Sequence, residues 1–133
     1  MDNNAEIKAL RDRFNNKKSQ AKEQFQFKDF DEFALWYEAQ GEKCHYCGTT
    51  QAQRTVLFQS GKIESKKPSF TTTLHIERLD SKKGYTKENC RPACALCNNA
   101  KSDMINAENF RHFFAKPMGD FLRALEQGKI TNS

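Results

Sequence analysis

Four of the five cysteines in this sequence occur as two pairs with equal spacing, Cys44-His-Tyr-Cys47 and Cys94-Ala-Leu-Cys97. Two intervening residues let both thiolates of a pair reach one ion, with zinc–sulfur bonds of about 2.3 Å. A single pair is also found in redox motifs, whereas two pairs in a short chain are typical of a closed, tetrahedral zinc site. The alternative is two disulfides, which a reducing compartment disfavours. The sequence therefore predicts a structural zinc ion bound by all four cysteines.

The second cysteine pair follows a segment with the pattern of two short strands. Apolar and polar residues alternate from Leu74 to Leu79, which is typical of a β-strand. A Lys-Lys-Gly turn separates this strand from a second one, Asn89 to Ala93, and a short helix is expected from Cys94 through Lys101. The fifth cysteine, Cys90, belongs to the second predicted strand. We expect it to be a small buried residue rather than a metal ligand.

This zinc-bound arrangement of strand, turn, strand and helix resembles the HNH, or ββα-metal, nuclease family. The family motif is an acidic residue followed by His, a loop with an Asn, and then Cys-x-x-Cys-(His or Asn)-x-x-Lys. The residues at the corresponding positions are Glu77, Arg78, Asn89, Cys94, Cys97, Asn98 and Lys101. The resemblance covers about residues 27–110, and it includes a Gly-Tyr-Thr loop at 84–86 that fits one subgroup. It implies an α+β fold in which a ββα-metal motif with a four-cysteine zinc site is surrounded by helices.

The motif also contains residues suited to a second metal ion. Hydrolysis of a phosphodiester needs a metal to polarise the phosphate, a group that activates water, and cations for the developing charge. Glu77 and Asn98 present oxygen ligands, which suit Mg²⁺ or Mn²⁺ held together with waters and the substrate phosphate. The resemblance implies that Asn89 braces the loop, as the central Asn of the family does. We therefore expect a structural Zn²⁺ and, separately, a catalytic Mg²⁺ or Mn²⁺.

The sequence departs from the common motif at the residue that activates water. Arg78 stands where most members have His, and arginine stays protonated, so it can contact a phosphate but cannot accept a proton. A branch of the family that includes rare-cutting restriction enzymes is similar, with Asp-Arg in place of Asp-His and a Tyr between the first two cysteines. Tyr46 is at that position and is the first candidate for activating water.

His75 is the second candidate, because it lies two residues before Glu77 on the same face of the predicted strand and titrates near neutrality. Both candidates have a structural alternative. Tyr46 would pack over the zinc site, and His75 would be a histidine on the surface of a strand.

The excess of positive charge is concentrated around the motif. The chain has 22 Lys and Arg and 17 Asp and Glu, and the whole excess of five falls between Ser60 and Lys101. A polyanion held against the motif accounts for this placement, and a solvated face is the alternative. The predicted nucleic-acid contacts are Lys82, Lys83, Lys87, Arg91 and Lys101.

Length and composition indicate one domain of 133 residues. We divide it into a basic N-terminal helical arm at 1–28, the zinc-bound ββα-metal region at 29–103 and C-terminal helices at 104–133. No apolar run approaches the length that crosses a bilayer, and the first residues lack the features of a signal peptide. A cytoplasmic protein without membrane contact is therefore expected.

Helices are predicted on both sides of the motif. The first, Ala5 to about Lys22, is either an arm across phosphates or a solvated terminal helix. A second begins at Asp29 as its cap and ends at Gly41. A short helix within Gly48 to Ser60 is expected to turn Val56 and Leu57 inward, followed by a loop at 61–69 and by β-branched residues at 71–73 that lead into the first strand.

After the motif, Asn106 is predicted to cap a helix with an inward stripe of Phe110, Phe113 and Phe114, which Pro117 ends. A last helix is predicted from Gly119 to Gln127.

Together these features predict a metal-dependent endonuclease that hydrolyses phosphodiester bonds in double-stranded DNA, in restriction, phage defence, a mobile element or a phage. Because the chain is small, cutting both strands would require two copies, which favours a homodimer. The alternative is a zinc-stabilised nucleic-acid-binding module that has kept the scaffold and lost catalysis. Arg78 is the residue that supports this alternative.

Overall fold

The computed structural model describes residues 4–66 and 72–132, which form six α-helices, one short 3₁₀ turn and one two-stranded sheet. In chain order the elements are α1 (Asn4–Ala21), the 3₁₀ turn (Lys22–Gln24), α2 (Phe30–Ala39), α3 (Gln51–Gln59), β1 (His75–Arg78), β2 (Cys90–Ala93), α4 (Ala95–Lys101), α5 (Ala107–Phe113) and α6 (Ala115–Glu126). No helix within these described ranges is long and apolar enough to span a membrane.

The predicted strand, turn, strand and helix is confirmed. β1 and β2 pair antiparallel, with His75 opposite Ala93 and Arg78 opposite Cys90. The chain passes directly from β2 into α4, because the Cys94 sulfur accepts a hydrogen bond from the Cys97 amide at 3.4 Å and so caps the helix. The fold is therefore the expected α+β arrangement, with a small sheet among helices.

Aromatic packing joins the N-terminal helix to the rest of the fold. Leu10 and Phe14 of α1 are buried, and the Phe14 ring contacts the rings of Phe25 and Phe33 edge to face at 5.3 Å each. α1 has only a few apolar side chains, but they hold it to the fold because they pack against large aromatic rings. In the structure, α1 packs against α2 rather than extending into solvent.

Two predicted helix starts are confirmed by their caps, and the cap of a third helix, α3, was not predicted. The Asp29 carboxylate accepts from the Glu32 amide at 2.9 Å, and the Asn106 side chain accepts from the Asn109 amide at 2.8 Å. α3 begins at Thr50, which forms a reciprocal capping box with Gln53. Each cap satisfies an amide that has no partner within its own helix.

Several inward-facing residues were predicted wrongly. Val56 is 55% exposed, because α3 buries the face that carries Arg54 and Leu57, three residues apart. Phe110 is buried, whereas Phe113 and Phe114 are 65% and 45% exposed. α5 ends at Phe113, so the helical period that related these phenylalanines does not continue to the third one.

Pro117 does not end a helix, as the sequence had suggested, but lies in the first turn of α6. Amides in a first helical turn have no intrahelical acceptor, so the missing proline N–H removes no hydrogen bond there. The predicted loop at 61–69 is described only through Lys66, and Thr71 of the predicted approach to β1 also lies outside the described residues.

Candidate functional site

The four paired cysteines meet in one buried cluster. Their sulfur atoms all lie within 4.8 Å of one another, and Cys47 Sγ is 3.8 Å from Cys94 Sγ. A tetrahedral ion with bonds of about 2.3 Å to sulfur has sulfur–sulfur edges of about 3.8 Å. The amides of Tyr46 and Cys97 donate to the sulfurs of Cys44 and Cys94, both at 3.4 Å. The donor set and its spacing therefore fit a metal ion, as the sequence predicted.

Short backbone hydrogen bonds hold the first cysteine pair in place. The Cys44 amide donates to the Thr49 carbonyl at 2.9 Å, and the Gly48 amide donates to the Cys44 carbonyl at 3.0 Å. Gly48 has a φ of +75°, a conformation that costs glycine little. The His45 amide donates to the Pro92 carbonyl of β2 at 2.8 Å, which fixes this turn against the sheet and thus against the second pair.

Cys90 lies outside the metal cluster. It is fully buried, and burial raises the pKa of its thiol to about 12. A thiol with that pKa is protonated and unreactive at neutral pH. The prediction that Cys90 is a small buried strand residue is confirmed.

Glu77 lies at the centre of a second polar site, beside α4. Its Oε1 accepts an ion-paired hydrogen bond from Lys101 Nζ at 2.6 Å, and the two side chains are only 11% and 10% exposed. Its Oε2 is buried and has no hydrogen-bond partner among the described residues. One carboxylate oxygen thus binds a cation, whereas the other has no hydrogen-bond partner among the described residues. The second oxygen is therefore available to bind a ligand.

The Tyr46 hydroxyl is the second unpaired oxygen of this site. It is buried and has no hydrogen-bond partner of acceptable geometry in the described part of the chain. Burial first, and then the charge of Glu77 and its closeness to the hydroxyl, raise the pKa of Tyr46 well above its ordinary value, although the contact between the two side chains lacks the geometry of a hydrogen bond. The ring is held edge to face against Phe110 of α5, with centroids 5.0 Å apart. The structure thus brings Tyr46 and Glu77 together.

Lys101 differs from its predicted role as a surface contact for nucleic acid, since it is buried and paired with Glu77. Its position on α4 explains this. Cys94, Asn98 and Lys101 are spaced by four and three residues, so they share one face of the helix, and Cys94 belongs to the buried metal cluster. The same spacing places Asn98, which is half-buried, on the face that meets Glu77. This periodicity was available in the sequence as the signal that Lys101 points inward.

Asn89 braces the loop between the strands, as the sequence predicted. Its side-chain oxygen accepts from the Asp80 amide at 3.0 Å. Its side-chain nitrogen donates to the carbonyls of Asp80 and Gly84 at 3.0 and 2.9 Å. Because Asn89 is buried, these three bonds replace water and fix the loop on which the basic residues lie.

Arg78 does not lie beside Glu77. Successive strand residues point to opposite faces, and Arg78 donates to the Gln24 side chain at 3.2 Å and to the Lys83 carbonyl at 3.1 Å. Its guanidinium carbon lies 4.6 Å from the Tyr85 ring centroid, and Lys17 Nζ of α1 lies 5.1 Å from the same centroid. These residues, with others from the end of α1, line an open cavity of about 350 Å³.

His75 is held by α1. Its Nδ1 lies 3.3 Å from Arg13 Nη1, and Arg13 Nη2 donates to the Thr73 carbonyl at 3.3 Å. Arginine only donates, so His75 Nδ1 is the acceptor and that ring nitrogen carries no proton. Nothing in the sequence pattern indicated this contact, because Arg13 is 62 positions away.

The other predicted nucleic-acid contacts are accessible. Lys82, Lys83 and Lys87 are exposed on the braced loop. Arg91 is half-buried, and its Nη1 donates to the carbonyls of Glu88 and Cys90 at 3.2 and 2.7 Å. The exposed lysines therefore form a positive edge along the loop between the strands.

Comparison with known proteins shows what this site is similar to. Residues 44–104 match the model of HNH endonucleases. The chain is 36% identical over 66 residues to the SPbeta prophage-derived putative HNH endonuclease YoqL of Bacillus subtilis (strain 168). That match covers 50% of this chain and 26% of the relative, so the chain spans only about a quarter of the relative's length.

A solved structure shares the fold. The rare-cutting HNH restriction endonuclease PacI superposes with a TM-score of 0.61 and 21% identity, covering 93% of this chain and 81% of PacI. The similarity extends beyond the motif to nearly the whole chain. The helices around the motif are therefore part of a fold that PacI also has.

Proposed function

From the match of residues 44–104 to the model of HNH endonucleases, we propose that the protein is a metal-dependent endonuclease that hydrolyses phosphodiester bonds in double-stranded DNA. The observation that carries the proposal is the pair of buried, unpaired oxygens, Glu77 Oε2 and Tyr46 Oη, beside α4 of the motif. Leaving two such atoms unpaired is unfavourable unless a ligand completes their bonding. A divalent cation and a water are ligands that suit these atoms.

The two metal sites have different chemistry. The four cysteines leave no open coordination position, so the ion that fits them is a structural Zn²⁺. Glu77 and Asn98 offer oxygen, which suits Mg²⁺ or Mn²⁺. Bound there, such an ion supplies Lewis-acid polarisation of the phosphate. Lys101 holds Glu77 in place by binding Oε1, which leaves Oε2 for the ion.

We assign Tyr46 as the first candidate for activating the attacking water, because its hydroxyl lies beside Glu77 with no other partner among the described residues. Only the phenolate can accept a proton, so this role requires a bound cation to lower the pKa of Tyr46, which burial and Glu77 raise. His75 is the second candidate. Its Nδ1 accepts from Arg13, so in the neutral ring the proton lies on Nε2, and His75 can accept a proton only at Nδ1 after the Arg13 contact breaks.

Binding of DNA is assigned to two positive surfaces. Lys82, Lys83 and Lys87 contact backbone phosphates from the exposed loop. Arg78, together with Lys17 beside Tyr85, contacts a phosphate at a distance from Glu77 rather than the scissile one. Phosphate contacts of this kind supply affinity without sequence readout.

A cleavage assay tests the proposal. Purified protein is incubated with supercoiled plasmid and Mg²⁺ or Mn²⁺, with and without EDTA. We expect nicked or linear DNA that disappears with EDTA and in Glu77→Ala, while Glu88→Ala, which removes an exposed acid from the same motif, cleaves like the wild type. Equal cleavage by Glu77→Ala and the wild type would contradict the assignment.

A non-catalytic DNA- or RNA-binding module is the second candidate function. The observation that favours it is Arg78, which occupies the position of the family's water-activating His and faces the end of α1. If this second function is correct, the protein will retard the plasmid on a gel but will leave it intact with every metal tried.

The biological setting and assembly follow from the same proposal. One relative is described as prophage-derived and the structural neighbour as a restriction enzyme, which supports a role in a phage or in restriction. Cutting both strands requires two sites, so we expect a homodimer on DNA. Analytical ultracentrifugation with a short duplex measures whether two protein copies bind.

A further inference from the structure

Arg54 is a buried cation without an anionic partner among the described residues. Its side chain is almost fully enclosed, with 4% of the residue exposed. Nη1 donates to the Thr49 carbonyl at 2.6 Å and to Thr49 Oγ1 at 3.0 Å, and Nη2 donates to the Thr72 carbonyl at 3.3 Å. Every acceptor is neutral, and Nε is buried with no partner. Burial of a charge in this way is unfavourable unless an opposite charge lies close by.

Thr49 connects Arg54 to the metal cluster. It is 2% exposed, and its Oγ1 lies 3.0 Å from Cys47 Sγ. Because a guanidinium can only donate, Thr49 Oγ1 must accept from Arg54, which leaves the hydroxyl proton free to donate to sulfur. A metal-bound Cys47 thiolate can only accept, so with the ion in place the hydrogen bonds run from Arg54 to the Thr49 hydroxyl and from that hydroxyl to Cys47.

A four-thiolate site supplies the missing anion. A divalent ion with four thiolates carries a net charge of about −2, which is itself buried here. We propose that Arg54 and Thr49 balance this charge, with the Thr49 hydroxyl relaying the Arg54 cation to Cys47 Sγ and so strengthening metal binding. This rests on the proposed zinc at the four cysteines, and it makes Arg54 and Thr49 positioning residues of that site.

The local fold explains why these residues meet. Thr50 caps α3, and Arg54 follows it by four residues, in the second turn of the helix. Side chains of a helix point towards its N-terminus, so the Arg54 side chain extends back to the end of the first cysteine pair. Bracing the loop through the Thr49 carbonyl would need only one neutral donor. A charged side chain and a hydroxyl directed at sulfur are additional features, and the charge of the metal cluster accounts for both.

The experiment compares Thr49→Val with Thr49→Ser. Both keep the carbonyl that Arg54 braces, but only Ser keeps the hydroxyl. We measure Zn²⁺ affinity by competition with a chromophoric chelator, and the thiolate-to-metal charge-transfer band after substitution with Co²⁺. We expect Thr49→Val to bind Zn²⁺ about 10-fold more weakly and to shift the band to longer wavelength, and Thr49→Ser to restore both.

Thr50→Val is the matched control. It removes the hydroxyl that caps α3, which accepts from the Gln53 amide at 3.1 Å, but it touches no sulfur. We expect it to destabilise the fold without moving the Co²⁺ band. Equal Zn²⁺ affinities and equal bands for Thr49→Val and Thr50→Val would overturn the proposal, because the hydroxyl would then have only a structural role.

Arg54→Gln provides a second test if Thr49→Val does not fold. Glutamine keeps a donor for the Thr49 carbonyl and removes the charge, so we again expect about 10-fold weaker Zn²⁺ binding. Wild-type affinity in Arg54→Gln, or a wild-type protein that binds no Zn²⁺, would overturn the proposal. These measurements use no DNA, so a protein that fails to cleave plasmid but shows the expected shifts contradicts the proposed nuclease function alone.

Discussion

The Glu77 carboxylate is the residue on which the proposed chemistry depends, and its two oxygens have different environments. Oε1 is bound by Lys101, and Oε2 is unpaired. A carboxylate anchored through one oxygen loses little rotational freedom when the other binds a ligand. Lys101 neutralises this buried acid, and in the proposed metal site it would also fix the orientation of the carboxylate.

Lys101→Met should destabilise the protein, because it leaves Glu77 buried without its counter-ion. We expect the free energy of unfolding to fall by about 3 kcal/mol without a divalent metal. Added Mn²⁺ should recover part of that loss, since it replaces the lost positive charge. Urea denaturation with and without Mn²⁺ measures both effects.

Lys116→Met is the control for Lys101→Met. It breaks an exposed ion pair with Asp120, so it should change the free energy of unfolding by less than about 0.5 kcal/mol. Similar losses in the two variants would mean that the Glu77 pair behaves as an ordinary surface contact.

Tyr46→Phe should separate stability from activity. Removing a buried hydroxyl that lacks a partner relieves an unfavourable desolvation, so we expect the free energy of unfolding to rise by up to about 1 kcal/mol. Cleavage should fall by at least about 100-fold if that hydroxyl takes part in activating water. Denaturation and single-turnover cleavage measure the two quantities.

His75→Ala is the comparison for Tyr46→Phe. We expect it to lose less activity, because His75 Nδ1 is occupied by Arg13. The reverse order of activity losses would transfer the role of activating water to His75.

At the scale of the elements, the loop between β1 and β2 depends on one side chain. Asn89→Ala removes three hydrogen bonds to the Asp80 and Gly84 backbone. We expect a loss of about 3 kcal/mol in the free energy of unfolding and faster hydrogen exchange in the loop, whereas Asn16→Ala on the exposed face of α1 should change little. Unchanged exchange in the loop would show that other contacts hold it.

The motif elements were predictable because their signals are local. Cysteine spacing, strand alternation and helix caps each act over a few residues, and they correctly predicted β1, β2, α4 and the caps of two flanking helices. Val56, Phe113 and Phe114 were predicted wrongly because hydrophobicity alone does not fix which face of a short helix is buried. Contacts between residues distant in sequence, such as that of Arg78 with Gln24, could not be inferred from these local signals or from hydrophobicity.

At the scale of the whole molecule, the placement of charge predicts how DNA binding responds to salt. The exposed loop lysines Lys82, Lys83 and Lys87 are proposed to contact three phosphates. Their combined replacement by Gln should reduce the slope of log affinity against log salt by roughly 3 units, since each contact contributes about 0.9. Fluorescence anisotropy with a labelled duplex at several salt concentrations measures the slope.

A control with the same change in net charge distinguishes contact from general attraction. Lys28, Lys116 and Lys129 are exposed outside the motif, and their combined replacement by Gln should leave the slope nearly unchanged. Equal reductions for the two triple variants would mean that the loop makes no specific phosphate contacts.

The two cysteine pairs have a consequence for the unfolded chain. Cys47 and Cys94 are 47 positions apart, so an ion that binds both pairs closes a long loop. Closing a loop of that length removes conformational entropy from the unfolded ensemble worth about 4 kcal/mol, by analogy with a cross-link of the same span. Part of the stabilisation therefore depends on where the ion joins the chain rather than on the strength of its bonds. Any tetrahedral, thiolate-binding ion that joins the two pairs should restore much of the fold.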